Sequence, residues 1–459
     1  MRPRLRGASF AVLFFALAGS APASAQTLSE ALTEAYQTNP QLLAQRALLR
    51  ATDEQVPQAL ANWRPMVAFT GLAAFETSAS AQPHFSTFYL HPRSSSLNLS
   101  VAQPLYRGAR TEAQTRQAIN TIQATRAQTL AIETMVFQSV AQSYLNVVRD
   151  QNLVVVERNN ERVLRKLFEE TEERFRIGRL TGTEVAQAQS AFAQATGTRI
   201  AAEGQLEISR ASYTRAVGHP PGRLVLPRER PALPATREEA LSLAAHDNFN
   251  VISARFTELA ARDNIDLVRG LLLPQISVFS DLNRSNVSEK SVGNVSTSAA
   301  SITANATMPV YEGGAIYSQT RQAEQTVGQR RSEVDAARRA AVQTAAQTWA
   351  TLQAARTSID SFRAAVRTAQ IAVAGMREEL LDGTRTVLDV LVGQQQVFST
   401  QSQLVTAEHD AALAEFNLAA AVGRLIAPEL KLPVRLYDME RHYRAVKEKW
   451  IGFDGGLAQ

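Results

Sequence analysis

The sequence predicts a mainly α-helical fold with a small β part, in which one structural unit occurs twice along the 459-residue chain. Three observations lead to this fold class. Landmark residues recur at a fixed offset, proline is absent from residues 105–219 and 310–427, and short segment pairs alternate between apolar and polar residues. The first observation indicates a duplication, the second long helices and the third β-strands.

The duplication rests on landmarks that match between the two halves. The segment Pro104–Gly108 (PLYRG) matches Pro309–Gly313 (PVYEG) at an offset of 205 positions, whereas Asn39 matches Asn248 at 209. A four-residue insertion or deletion therefore separates the two sets of landmarks. We predict a first repeat over residues 26–219, a linker over 220–236, a second repeat over 237–423 and a tail over 424–459.

Residues 1–25 have the pattern of a secretory signal peptide. Three arginines precede an apolar segment at residues 8–18, and Ala23–Ala25 is typical of a cleavage site. Removing those arginines lowers the formal net charge from +5 to +2, which argues against a nucleic-acid partner. The chain has no cysteine, which excludes disulfides, thiolate metal sites, a cysteine nucleophile and a lipidated N-terminal cysteine.

Each repeat begins with helical segments and continues with two strands. Residues 26–39 and 41–63 predict helices, with Pro57 kinking the second or marking its start. Period-two alternation predicts strands at 67–78 and 95–105 in the first repeat and at 275–283 and 299–310 in the second, with polar loops at 79–94 and 283–298. About ten residues is the length of a tilted transmembrane strand, and a pair of soluble hairpins is the alternative.

A long helical hairpin completes each repeat. We predict helices about 100 Å long at residues 109–176 and 315–381. Helices of this length exceed the ordinary globular range and indicate a coiled coil or the wall of a tube. Shorter helices return at 183–217 and 388–422. Residues 41–63 and 249–272 are expected to stack end to end on these returning helices, and the linker and tail to form a belt outside the tube.

Four strands cannot close a barrel, since single-chain bacterial barrels begin at eight strands and open edges in lipid leave backbone groups unpaired. Two chains would supply eight strands and three chains twelve. An eight-stranded barrel is filled by its own side chains, so a conducting pore favours three.

At this point the chain resembles the TolC-like outer-membrane efflux and type I secretion channels. The resemblance covers essentially the whole chain after residue 25. It is carried by the repeated Pro-x-Tyr-x-Gly motif after the second strand, by Arg174-Phe175-x-x-Gly178 and by the Gly383–Leu391 segment (GTRTVLDVL).

The resemblance implies a homotrimer in the outer membrane, with a 12-stranded transmembrane β-barrel and a long α-helical barrel in the periplasm. It implies export by a tripartite pump, as protein secretion, multidrug efflux or both. A periplasmic adaptor and an inner-membrane pump of the ABC or RND type would open a tip that is closed at rest. Outer-membrane lipid is the remaining expected partner, and no cofactor, metal or nucleic acid is implied.

The two tips contain matching residues that admit two interpretations. Gly178 and Gly383 are expected to end the long helices in a left-handed conformation. Thr181 with Glu184, and Thr386 with Asp389, have the spacing of a capping box, in which the acid turns back to its own helix start. The alternative, from the resemblance, is that Asp389 contributes to an acidic ring at the pore constriction, while Arg385 latches onto the Glu184 end of an adjacent hairpin.

Val392 is where the sequence departs from the family pattern, which has a second acid three residues after the first. We therefore expect one ring of Asp389 bordered by an apolar ring of Val392. A carboxylate ring favours cations, and a single ring should bind multivalent cations less well than a double ring.

Two other function classes fit the sequence poorly. The chain contains no nucleophile elbow, no Walker loop and no histidine pair at metal-ligand spacing, so we expect neither an enzyme nor a metal site. A soluble periplasmic coiled-coil adaptor would have one hairpin between β modules, whereas this chain has two hairpins and isolated strand pairs.

Overall fold

The computed structural model describes residues 26–80, 88–227, 229–289 and 293–453, so the expected signal peptide lies outside the described residues. The first repeat contains α1 (Leu28–Thr38), α2 (Pro40–Asp53), α3 (Gln55–Leu60), β1 (Met66–Phe75), β2 (Ser78–Ser80), β3 (Phe88–Leu90), β4 (Arg93–Arg107), α4 (Arg110–Arg176) and α5 (Gly182–Val217). The rest contains α6 (Arg237–Asp247), α7 (Phe249–Arg269), β5 (Gln275–Glu289), β6 (Gly293–Thr307), α8 (Ala315–Leu381), α9 (Val387–Ala421) and α10 (Arg441–Val446).

The long helices agree with the sequence prediction. Helices α4 and α8 each contain 67 residues, which corresponds to about 100 Å at 1.5 Å per residue. Each packs along its returning helix, α5 or α9, and α4 also packs against α9, so the two hairpins lie side by side. The described part of the chain is therefore mainly helical and built from two equivalent halves.

Pro57 breaks the helix that precedes the first strand. Helix α2 ends at Asp53, and Pro57 lies in the separate helix α3, because proline has no N–H to donate to the carbonyl four residues earlier. The second repeat has no proline at the equivalent position, and α7 runs unbroken for 21 residues.

The end-to-end stacking of helices is also observed, and one asparagine makes each joint. The Asn39 side chain accepts from the backbone N–H groups of Gln41 and Leu42 at the start of α2, and its amide donates to the Ala216 carbonyl at the end of α5. Asn248 repeats the arrangement between α7 and α9, donating to the Ala421 carbonyl over 3.0 Å. Each amide thus satisfies two helix ends at once.

The four long strands form one antiparallel sheet in the order β1-β4-β5-β6. The register aligns apolar residues on one face and small or polar residues on the other, as expected for strands with one apolar side. One apolar row crosses the sheet through Phe69, Leu99, Leu282 and Ala300, and the adjacent row on the opposite face through Thr70, Asn98, Asn283 and Ala299.

The predicted strand boundaries were wrong at several ends. The first strand ends at residue 75 rather than 78, and the second runs from 93 to 107 rather than from 95 to 105. In the second repeat the strands cover 275–289 and 293–307 instead of 275–283 and 299–310, so the expected loop at 283–298 is mostly sheet. Its serine and asparagine residues pair with neighbouring strands on the sheet, which sequence composition alone does not reveal.

Proline affects the end of the second strand in each repeat. Pro104 lies within β4, where a register shift between Pro104 and Tyr106 accommodates the missing N–H. In the second repeat β6 ends at Thr307, before Pro309, so the predicted end at residue 310 is too late. The two Pro-x-Tyr-x-Gly motifs therefore end their strands differently.

The linker and the tail pack on the middle of the helical hairpins. The largest buried cluster joins α1, α4, α5 and α9 to both segments, through residues that include Leu224, Leu425 and Leu432. The buried Tyr144 hydroxyl on α4 donates to the Val225 carbonyl over 2.8 Å. Among the described residues of the tail, Arg441–Val446 form the short helix α10.

Candidate functional site: the hairpin tips

Both hairpin tips use the same backbone turn. Gly178 and Gly383 have φ angles of +75° and +77°, in the left-handed region that glycine adopts without steric cost. The Arg179 amide donates to the Arg174 carbonyl over 2.9 Å, and at the second tip the Thr384 amide donates to the Glu379 carbonyl over 3.0 Å. This six-residue closure is a Schellman motif, which satisfies the last carbonyls of the long helices.

The capping boxes predicted at both tips are confirmed. The Thr181 amide donates to Glu184 Oε2 over 2.8 Å, and the Glu184 amide donates back to Thr181 Oγ1. Thr386 and Asp389 make the same reciprocal pair, with the Thr386 amide 3.0 Å from Asp389 Oδ2. These hydrogen bonds, chiefly that from the Thr386 amide, hold the pKa of Asp389 below its usual value, so the carboxylate is charged at neutral pH.

Capping uses only one of the two oxygens of the Asp389 carboxylate. Both bonds from Thr386 go to Oδ2, and among the described residues Oδ1 accepts no hydrogen bond. The side chain is half-buried, and the nearby Arg385 adds to the stabilisation of its negative charge. The same group can therefore cap α9 and present a charged oxygen outwards.

Arg385 is paired within its own hairpin. Its Nε donates to Glu379 Oε2 over 2.9 Å, and both side chains are about half exposed. Within the described part of the chain, Arg385 and Glu184 form no ion pair, since Glu184 is held by Thr181. Sequence reasoning missed Glu379, although its position six residues before Arg385, across the glycine turn, is the signal that could have identified it.

Val392 lies one helical turn after Asp389 and is 62% exposed. The opposite side of α9 is buried, because Val387 and Val390 pack into a cluster with Leu167 and Leu380. This cluster joins the two tips into one unit. Among the described residues, Val392 thus lies on the exposed side of α9 and the half-buried Asp389 at the edge of that side.

Gly393 is a second residue that sequence reasoning missed. A Cβ at this position would lie 2.8 Å from Met376 Sδ and 2.9 Å from Val373 Cγ2, so glycine allows α8 and α9 to approach closely. At the equivalent positions the first repeat has Ala188 for Gly393 and Thr171 for Met376. An isolated glycine inside a helical pattern was the available signal.

The described residues contain no cluster of three or more side chains suited to hold a metal ion. None of the described helices combines the length and the apolar character needed to cross a bilayer.

Comparison with known proteins identifies the family. The model of the family described as "Outer membrane efflux protein" matches residues 31–219 and 240–424, one stretch in each repeat. The chain is 30% identical over 437 residues to the outer membrane efflux protein BepC of Brucella suis biovar 1 (strain 1330), covering 95% of this chain and 93% of that protein. It is 27% identical to the outer membrane protein TolC of Vibrio cholerae over 87% and 91% of the two chains.

Solved structures agree in fold. The outer membrane channel CmeC of Campylobacter jejuni superposes with a TM-score of 0.76 at 14% identity, over 92% of this chain and 94% of that one. Because the family model and the curated relatives are outer membrane efflux proteins, the soluble adaptor is not favoured. With both repeats matched by the family model and nearly the whole chain aligned to BepC, the chain belongs to the outer membrane efflux protein family.

Proposed function

We propose that three copies of this chain form a channel through which a tripartite pump exports its substrates across the outer membrane. The observation that carries the proposal is the open sheet. Strands β1 and β6 are its two edges, and among the described residues each pairs on one side only. In lipid each unpaired backbone group costs several kcal/mol, so the edges require partners. Pairing β6 of one copy with β1 of the next closes twelve strands with three copies.

The helical part supports the rest of the proposal. Helices α4 and α8, each about 100 Å long, carry the tips far from the sheet, into the periplasm. There they would meet a periplasmic adaptor and an inner-membrane pump of the ABC or RND type. The chain acts on its substrates by conducting them, not as an enzyme, and both protein secretion and drug efflux fit this role.

Cross-linking at the tips tests the partners. A photo-reactive amino acid at Leu381, which is exposed beside the second turn, should capture an adaptor in cells. The same substitution at Leu105, in strand β4, is the control and should capture no periplasmic protein. Under non-denaturing conditions, the captured complex should contain three copies of this chain. A dimer, or equal capture from both positions, would contradict the proposal.

The tip is proposed to be the gate. In a trimer the uncovered side of α9 would contribute three copies each of Asp389 and Val392 to the constriction. Arg385 would act as the latch by exchanging Glu379 of its own hairpin for the Glu184 end of an adjacent one. Each exposed pair contributes about 0–1 kcal/mol, and three copies bias a gate whose two states differ by a few kcal/mol.

Single-channel recording of two variants tests the latch. Arg385→Ser is expected to raise conductance in planar bilayers, because it removes the bond between hairpins. Glu379→Gln is the matched control, since it removes only the partner within the hairpin and leaves Arg385 free to latch. Its conductance should stay at or below that of the unmodified channel. An unchanged Arg385→Ser channel, or equal increases in both variants, would rule out the latch.

A further inference from the structure

The C-terminal tail runs along the outside of the first repeat towards the sheet. Near its start the Tyr437 ring lies 5.0 Å from the guanidinium of Arg46 in α2. Further on, His442 Nδ1 lies 3.2 Å from Asp53 Oδ2, at the end of the same helix. Each contact of the tail therefore lies further along α2, in the direction of β1.

The final contact is at the base of the first strand. Arg64 Nη1 donates to the Lys449 carbonyl over 2.8 Å, and the Arg64 guanidinium lies 4.8 Å from the centre of the Trp450 ring. Arg64 is two residues before β1 begins at Met66. The tail thus ends beside the point where the chain passes from helix to sheet.

The last four described residues, 450–453, are apolar or glycine, and their large side chains are mostly exposed. Trp450 is 65% exposed, Ile451 is 90% exposed and Phe453 is fully exposed. Burial of Val446 and contacts of Tyr443 and Met439 with the Leu49 cluster fix the preceding segment, so the exposed end projects from an anchored support.

We propose that residues 450–453 are an interfacial anchor that inserts into the periplasmic leaflet of the outer membrane. In this family the sheet lies in that membrane, and the start of β1 marks its boundary with the periplasm. Tryptophan concentrates at such boundaries, with its ring among the lipid headgroups, and flanking isoleucine and phenylalanine add apolar area. A lipid surface is the occupant because residues 450–453 lie beside the start of β1, whose apolar face runs on from there through the exposed Val67 and Phe69.

The composition of the chain adds to this argument. Because the chain contains no cysteine, it has no thiol that could carry an acyl anchor. The anchor at residues 450–453 would add side-chain contacts with lipid to the attachment that the sheet already provides. It needs neither the pump nor the adaptor, so it does not depend on the proposed export function.

Site-specific fluorescence tests the anchor. The absence of cysteine allows a single environment-sensitive label at Ile451→Cys, with Leu436→Cys as the matched control. Leu436 is 50% exposed in the same tail, next to the residue that packs on Arg46. The two labels would be compared in vesicles of phosphatidylethanolamine and phosphatidylglycerol, with and without quencher-carrying lipid.

We expect the label at 451 to shift to shorter wavelength and to be quenched several-fold more by the lipid-borne quencher than the label at 436. A label at Phe453→Cys should give the same shift and quenching as the label at 451. This second position shows that the result does not come from a local effect of one substitution. Equal quenching at 451 and 436 would overturn the proposal. So would a label at 451 that is shielded from aqueous iodide but not quenched from lipid, because a second copy of the chain would then cover it.

Discussion

A Val392→Asp channel is expected to be blocked by hexamminecobalt(III) at concentrations at least about tenfold below those that block the unmodified channel, a difference of about 1.4 kcal/mol in binding. Residues 389 and 392 are one helical turn apart, with a rise of about 4.5 Å. In the proposed trimer the substitution therefore adds a second carboxylate ring directly beside the Asp389 ring. A trivalent cation between two such rings interacts with six charges instead of three.

The variant should fold normally, because Val392 is largely exposed and an aspartate there loses little hydration. Leu381→Asp is the matched control. It adds the same charge to an exposed apolar position near the turn, at the end of α8 rather than on the uncovered side of α9. The measurement is the concentration of hexamminecobalt that halves single-channel current in planar bilayers. Similar half-blocking concentrations for the two variants would show that Val392 does not lie at the constriction.

Glu415→Ala is expected to destabilise the protein by about 3 kcal/mol, which is the lower end of the range for breaking a buried ion pair. Glu415 on α9 is 2% exposed and accepts from Arg230 of the linker over 2.9 Å and from Arg356 of α8 over 2.8 Å. Both arginines are about half exposed and can turn to water when the carboxylate is removed, so the loss stays near this lower limit.

The chain provides a control one heptad earlier on the same two helices. Glu408 of α9 accepts from Arg363 of α8 over 3.0 Å, but both side chains are partly exposed. Glu408→Ala should therefore cost only about 0–1 kcal/mol. Thermal unfolding of the purified channel, followed by the loss of helical circular dichroism, compares the two. If both variants unfold at the same temperature, the burial of Glu415 contributes nothing measurable to stability.

The features that sequence predicted best are those encoded by local pattern. Helices α4 and α8 follow from long stretches without proline, and the tip turns follow from Gly178 and Gly383. The capping boxes follow from a threonine and an acid three positions apart. In each case the residues that determine the structure are neighbours along the chain, so no knowledge of tertiary contacts is required.

The features that sequence predicted poorly depend on partners far along the chain. Residues 283–289 form strand because β4 and β6 lie on either side of them, although their composition suggests a loop. Glu379 as the partner of Arg385 depends on the path of the turn between them. Gly393 leaves room for Met376 and Val373 on the facing helix. None of these relations is visible in a local pattern.

The equal lengths of α4 and α8 also fix the distance from the sheet to the tips. With 67 residues in each, both tips end at the same level, and one heptad more or less would change the reach of either by about 10 Å. A deletion in one long helix alone would tilt the end of the tube, while matched deletions in both hairpins would shorten it evenly. The internal repeat thus sets the distance between the tips and the sheet twice over, and the two halves must change length together to keep the tips level.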